Sequence, residues 1–551
     1  MKRIQYIGVL ACAAATLLFS SCSNEFLDRK PTSALDTQLI LGNPDYVQAS
    51  VVGTMRTMYG SGFGGRDATV IGDMMTDMVT SAIRGSNGTL KTMEEWNINS
   101  RTTEVASFWA NGYAIAASAA RTIQAANTLI NEGKDVAKLQ NTKAVSLVAK
   151  VYAEYFLTQY FCVDVNLAKN DYQLNAGKTF EKPGNNSYYV GIILLKDRAL
   201  RNDEAANMST LEATYAFMEE EINTAIELFE ESKTNTFSMA TGETRYFPTL
   251  CAAYVMKARL ALAQHKYQEA AEAADNALAN LPAGANANLI DNGPALLKAY
   301  GENPSSEDIW LLNYTSSDNL SANSLQNLFS SYGSNPSDDA ISLFQSNDIR
   351  RALYYKGEER NVATYCLKYP NPNSVFNVPL LRVPEIYLIQ AEAKAATGDL
   401  TGANDALVKV LGVRDTSIKG DVDEMVSKYM ITAQNIMKVV LDENAREFLC
   451  EGHRWSDLRR NGMRLTRNGS LEKPQYQLHF QNYPLSTFAF PVPYDETTTE
   501  AWKKGKGLIS DNNRDTKNWN NNAWDDGPKG DVYNARVTLP AEGLDYKNNA
   551  F

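Results

Sequence analysis

The stretch Arg382-Val383-Pro384-Glu385-Ile386-Tyr387-Leu388-Ile389-Gln390-Ala391-Glu392-Ala393-Lys394-Ala395-Ala396-Thr397-Gly398-Asp399-Leu400 decides the fold. Tyr387, Ala391 and Ala395 recur at helical spacing, Thr397-Gly398-Asp399 supplies a tight turn, and Leu400, Ala403 and Leu407 resume the period beyond it. The steps between these six positions are four, four, five, three and four residues. The same steps separate Tyr254, Ala258, Leu262, Tyr267, Ala270 and Ala274, around the turn Gln264-His265-Lys266. Each segment therefore reads as a helix, a turn and a second helix, with alanines where the two helices must approach closely.

Such a pair cannot bury its apolar face alone, so neighbouring pairs must stack, which is the logic of tetratricopeptide repeats. Working outward, apolar periodicity predicts helical segments over about 141–161, 211–230, 250–280 and 383–411, a helix over 435–461, and another near Tyr46–Tyr59. The alternative is a set of generic amphipathic hairpins. Polar stretches rich in Asn, Ser, Gly and Tyr separate the helices, over roughly 60–105, 162–208, 282–375 and 465–551. The expectation is a mainly α fold, a tetratricopeptide-like scaffold with few short strands. Its long irregular loops face a ligand, because binding usually resides in loops held by a rigid frame.

The chain opens with Lys2 and Arg3, an apolar run from Ile7 to Phe19, the small pair Ser20-Ser21, and Cys22. This is the layout of a secretory signal peptide. The run is too short for a spanning helix, which needs about 20 residues. The small pair directly before Cys22 is the pattern of a bacterial lipoprotein cleavage site, so residues 1–21 read as a lipoprotein signal and Cys22 as the acylated N-terminus of a single domain over 22–551. An ordinary signal peptide with an incidental cysteine is the alternative.

Removal of Lys2 and Arg3 with that segment takes the formal net charge from -11 to -13. An acidic chain without basic clusters argues against nucleic acid as a partner. Of six cysteines, Cys12 leaves with the signal and Cys22 carries lipid. Cys162, Cys251, Cys366 and Cys450 are too dispersed for a zinc or redox motif. A disulfide among them is open in an exported protein, and the sequence does not pair them. Three histidines, His265, His453 and His479, form no metal-ligating pattern, and no cofactor fingerprint occurs. Neither a metal nor a cofactor is expected.

Four segments in order resemble the SusD/RagB family of outer-membrane nutrient-binding lipoproteins. They are Cys22 with Phe26-Leu27-Asp28 and Pro31; Arg382 to Leu388 with Ala391-Glu392-Ala393 and Gly398; Arg446-Glu447-Phe448 with Glu451-Gly452-His453-Arg454 and Asp457 to Arg460; and Phe490-Pro491-Val492-Pro493 with Glu496. The polar tail with Trp519 and Trp524 departs from the family's usual ending, and Gly191 to Lys196 resembles the peptide-binding RagB branch. The resemblance implies a lid on a SusC-like TonB-dependent β-barrel transporter. The protein would capture an oligosaccharide, or alternatively an oligopeptide, at the cell exterior and pass it into the barrel without catalysis.

Within the charged run from Arg446 to Arg460, Glu447, Glu451 and Arg454 are spaced to pair on one helix face. We read this run as an ion-paired lock against the Arg382/Glu385 helix and not as a catalytic carboxylate pair. Asp511, Asn513 and Asp515 alternate like calcium ligands but lack the remaining EF-hand positions, so a solvated tail is the better reading. Sugar rings stack on aromatics and bind amides, carboxylates and arginines along their edges. The candidate ligand-binding residues are accordingly Asp73, Asp77, Arg84, Trp96 and Asn97 in the early loop. By family position, Tyr314, Asn319 and Tyr332 join them. Trp310 lies in the strand-like run Ile309 to Leu312 and is expected to be buried.

Overall fold

The computed structural model describes residues 42–81, 90–96, 98–165, 190–196, 198–200, 204, 206–240, 242–313, 320–356, 364–369, 376–465, 483–484, 489–497 and 499. The structure is mainly helical, with short two-stranded sheets. The principal helices are α1 (Pro44–Met58), α2 (Asp67–Met74), α3 (Thr103–Asn131), α4 (Val136–Phe161), α5 (Leu211–Glu231), α6 (Leu250–Ala263), α7 (Tyr267–Ala279), α8 (Val383–Ala396), α9 (Leu400–Arg414), α10 (Ile436–Glu447) and α11 (Arg454–Arg460).

These helices stack as a continuous series. α3 packs on α4, α4 on α5, α5 on α6, α6 on α7, α7 on α8, and α8 on both α9 and α10. The two hairpins predicted from their shared spacing are α6–α7 and α8–α9. Their turns are made alike: His265 at φ 62° and Gly398 at φ 82° occupy the left-handed region at equivalent positions. Thr249 caps α6 through the Ala252 amide at 3.2 Å, and Asp399 caps α9 through the Gly402 amide at 2.9 Å. Pro384 in the first turn of α8 gives up an amide that has no intrahelical partner. The alanines that carry the repeat, Ala258, Ala270, Ala274, Ala391 and Ala403, are fully buried at the contacts. α6 and α8 are buried almost all round because other helices flank them.

The helix expected over 435–461 is two helices. The segment between α10 and α11 turns through Cys450 at φ 70° and Gly452 at φ 81°. An added Cβ at Gly452 would meet the Thr69 carbonyl oxygen at 2.8 Å, so the turn lies directly against α2.

Six of the strands among the described residues concern the site: β1 (Val79–Thr80), β2 (Asp308–Leu312), β3 (Asn335–Pro336), β4 (Tyr354–Lys356), β5 (Thr364–Cys366) and β6 (Val378–Arg382). β2 and β6 pair antiparallel within the core, and Trp310 is buried there with its ring 5.1 Å from Tyr152. No helix among the described residues is long and apolar enough to cross a membrane. Cys22 lies outside the described residues.

Candidate ligand-facing surface

The charged run after α10 builds an ionic centre between helices and strands. Arg382, at the end of β6, donates to Glu447 at 2.9 Å and to both oxygens of Glu451 at 2.8 and 2.9 Å. Arg414, at the end of α9, donates twice to Glu447 at 3.0 Å and once to Glu307 at 2.7 Å. Arg350 reaches Glu443 at 2.8 Å, Glu447 at 3.1 Å and Asp348 at 2.7 Å. Lys368 pairs with Glu451. All of these side chains are buried. The guanidinium groups of Arg414, Arg382 and Arg350 hold the Glu447 carboxyl well below the usual carboxylate range, against the opposing effect of burial.

This pairing differs from the expected lock in two partners. Glu385 pairs with Arg259 and not with the run, and Arg454 donates to Asp77 at 3.1 Å and not to Glu451. The lock thus reaches further than one helix pair. A general acid needs a raised pKa near the working pH, and Glu447 and Glu451 are both shifted the other way.

Beside them is a cavity of about 50 Å³ lined by Arg259, Glu385, Glu392, His453, Asp457 and Arg460, among others. Ligand pockets are several hundred Å³, whereas a space of this size holds a few waters. Burial keeps His453 well below its ordinary range and therefore neutral, stacked on Phe448 at 3.9 Å. Among the described residues no cluster of His, Cys, Asp or Glu could hold a metal ion.

Three of the candidate residues in the early loop are described, and two of them are structural. Trp96 is 1% exposed, donates its indole N–H to the Met75 carbonyl at 3.0 Å, and lies 6.0 Å from the Trp455 ring. It presents no face to a ligand, because the loop folds back over α2 and α11. Asp73 is also buried and accepts the Gly452 amide at 3.1 Å. Burial pushes its carboxyl up to about 7. Asp77 keeps partial exposure while paired with Arg454. Arg84 and Asn97 lie outside the described residues, as do Tyr314 and Asn319.

Tyr332 is half-buried, with its amide on the Asn327 carbonyl at 2.8 Å. Around it Asn323, Ser330 and Ser331 are exposed and Asn327 half-buried. The Asn327 amide donates to the Ser321 carbonyl at 2.6 Å and its oxygen accepts from Ser331 at 2.9 Å, which fixes its plane.

The two predicted regions do meet. β1 pairs antiparallel with β3, with Val79 opposite Pro336 and Thr80 opposite Asn335. The Ser337 amide donates to the Met78 carbonyl at 2.8 Å, and Arg66 donates to Asn323 at 3.3 Å. The early segment and residues 320–337 are therefore joined, and the latter carry Tyr332 together with several exposed or half-buried amides and hydroxyls. Asn327, Ser330 and Ser331 were not singled out in the sequence, although the Asn and Ser enrichment of that stretch was the available signal.

Residues 360–533 match the SusD family. A crystal structure of a SusD superfamily protein from Bacteroides vulgatus superposes with a TM-score of 0.68 at 20% identity, covering 84% of this chain and 98% of that one. Over residues 360–533 the chain resembles the SusD family. A SusD superfamily protein from Bacteroides thetaiotaomicron is similar at a TM-score of 0.69 and 18% identity, covering 83% of this chain and 98% of its own. A SusD-like carbohydrate binding protein from Bacteroides vulgatus gives 0.62 at 16%, covering 84% and 97%. No curated protein sequence matches the chain. At these identities the likeness of this chain to the solved structures is one of fold, and its helical scaffold is theirs.

Proposed function

We propose that this SusD-like protein is an oligosaccharide-binding, non-catalytic lipoprotein of the outer membrane. In this reading it is anchored through Cys22, faces the cell exterior and delivers its ligand to a SusC-like TonB-dependent β-barrel transporter. The observation that carries the ligand class is the joined surface of β1, β3 and residues 320–337. The same stretch carries Tyr332, Asn323, Asn327, Ser330 and Ser331, all exposed or half-buried. An aromatic face edged with amides and hydroxyls suits a ring that is apolar on its faces and hydroxylated at its rim. The carbohydrate binding named for one structural relative supports the same class. A non-catalytic role is supported by the lowered carboxyl pKa values of Glu447 and Glu451, which suit ion pairing and not general acid catalysis.

The test is calorimetric titration of the soluble chain lacking residues 1–22 against panels of oligosaccharides and oligopeptides, with Tyr332→Ala alongside. Loss of one stacked aromatic is worth about 1 kcal/mol or slightly more beyond area burial, so sugar affinity should fall roughly five- to tenfold with an unchanged melting temperature. Peptide binding without sugar binding would replace this reading with the RagB-type one. Release of shorter sugars from the panel would overturn the non-catalytic assignment.

A further inference from the structure

The four cysteines among the described residues are all buried free thiols. Cys251 hydrogen-bonds the Ala277 carbonyl at 3.2 Å, within the α6–α7 hairpin. Cys366 and Cys450 are different: 84 positions apart in sequence, they are brought to one seam by strand pairing and tyrosine hydrogen bonds. Cys366 ends β5 opposite Tyr354 of β4. The Tyr354 hydroxyl donates to the Leu449 carbonyl at 3.3 Å. Beyond Cys366, the Lys368 ammonium donates to the Glu447 carbonyl at 3.0 Å and the Tyr369 hydroxyl to the Cys450 carbonyl at 2.9 Å. These bonds on either side stitch the end of β5 to the turn after α10. Both cysteines are buried at that seam, 4% and 0% exposed.

We propose that Cys366 and Cys450 are joined by a disulfide in the exported protein. The proposal rests on the export reading for its oxidising compartment, since thiols persist in the cytosol and pair outside it. The two thiols give up two protons and two electrons as the S–S bond forms. The acceptor is a disulfide-bearing oxidant, an envelope thiol oxidase in the cell or oxidised glutathione in solution, whose own S–S bond is reduced to two thiols. Burial holds the Cys450 thiol well above its ordinary range, which starves the folded protein of the reactive thiolate. The bond therefore forms while the seam is still closing, and once formed it is shielded from reductants.

The test refolds the reduced, denatured chain lacking residues 1–22 in a glutathione redox buffer, then counts maleimide-reactive thiols after denaturation and maps non-reduced peptides. The expected result is two reactive thiols out of four and a peptide joining Cys366 to Cys450. Cys162→Ala with Cys251→Ala should leave none reactive, and Cys450→Ala should leave all three remaining thiols reactive. If the variants fail to fold, the wild-type peptide map alone decides. Four reactive thiols, or a bridge between other cysteines, would overturn the pairing. A bridge after refolding with free thiols in protein taken from its own cells would overturn the proposal through its export premise instead.

Discussion

Glu447→Gln is the sharpest probe of the ionic centre. Both carboxylate oxygens of Glu447 are occupied. One accepts from Arg382 at 2.9 Å and Arg414 at 3.0 Å, the other from Arg350 at 3.1 Å and Arg414 at 3.0 Å. A glutamine can satisfy only one of these pairs, and its amide nitrogen must face two guanidinium donors whichever way it is turned. Three buried arginines also lose their shared anion. Removing one partner of a buried ion pair costs about 3–5 kcal/mol, because the remaining charge stays buried. With an unfolding entropy of about 2.1 cal/mol/K per residue, a cooperative unit of roughly 500 residues loses about 3–5 °C in melting temperature.

The loss must also depend on pH. The folded-state pKa of Glu447 is depressed, so its contribution is complete above the unfolded value near 4.3 and disappears as pH falls through the lower folded value. Differential scanning calorimetry of both proteins between pH 3 and 8 reads this directly. Ligand affinity of the folded variant should match the wild type. A loss below about 1 kcal/mol at pH 7 would refute the reasoning, as would a loss that stays constant down to pH 3.

Trp96→Ala should cost about 3–5 kcal/mol, as for other buried large-to-small changes, while the molecules that remain folded bind ligand normally. Parallel melting and titration separate the two effects, and affinity lost in a fully folded variant would restore Trp96 to the binding site. Asp73→Asn should gain stability at pH 8 relative to pH 4. A buried carboxyl with its pKa raised to about 7 stabilises the fold below pH 4 and progressively less as pH rises through 7. The ceiling is about 4 kcal/mol, and parallel stability curves for the two proteins would count against it. Gly452→Ala adds a Cβ against the Thr69 and Ala68 carbonyls at a left-handed backbone position. It should lower the melting temperature more than Gly398→Ala, where the added atom meets nothing.

The helical scaffold was legible because helical periodicity is local. The shared spacing of Tyr254 to Ala274 and Tyr387 to Leu407 yields two hairpins with matching turns. The break within 435–461 was hidden because Phe448, Leu449 and Cys450 continue an apolar pattern. Only tertiary demands make the chain turn there: Glu451 points to Arg382 and the Gly452 amide to Asp73. Trp96 and Asp73 were misread for the same reason. Their partners, Trp455 and Gly452, are remote in sequence, so polar neighbours in the loop suggested exposure that the fold removes. The residue types of the ionic run pointed to pairing, but type does not choose partners. Arg259 takes Glu385 and Asp77 takes Arg454 across large sequence separations.

In an ideal repeat array each unit touches only its neighbours, and loops can loosen without consequence for the stack. Here the loops are tied back into the stack. Asp73 on α2 and Asp77 just beyond it dock on the turn and helix that follow α10, Arg350 and Lys368 reach the end of α10 from the other side, and β1–β3 joins the two segments to each other. Because these ties are buried, charge-assisted bonds, they fix orientation more than they add net stability. The surface carrying Tyr332 is therefore held in place from beneath. In the proposed role its exposed residues are then free to be chosen for a ligand, with the scaffold's stability depending on other side chains.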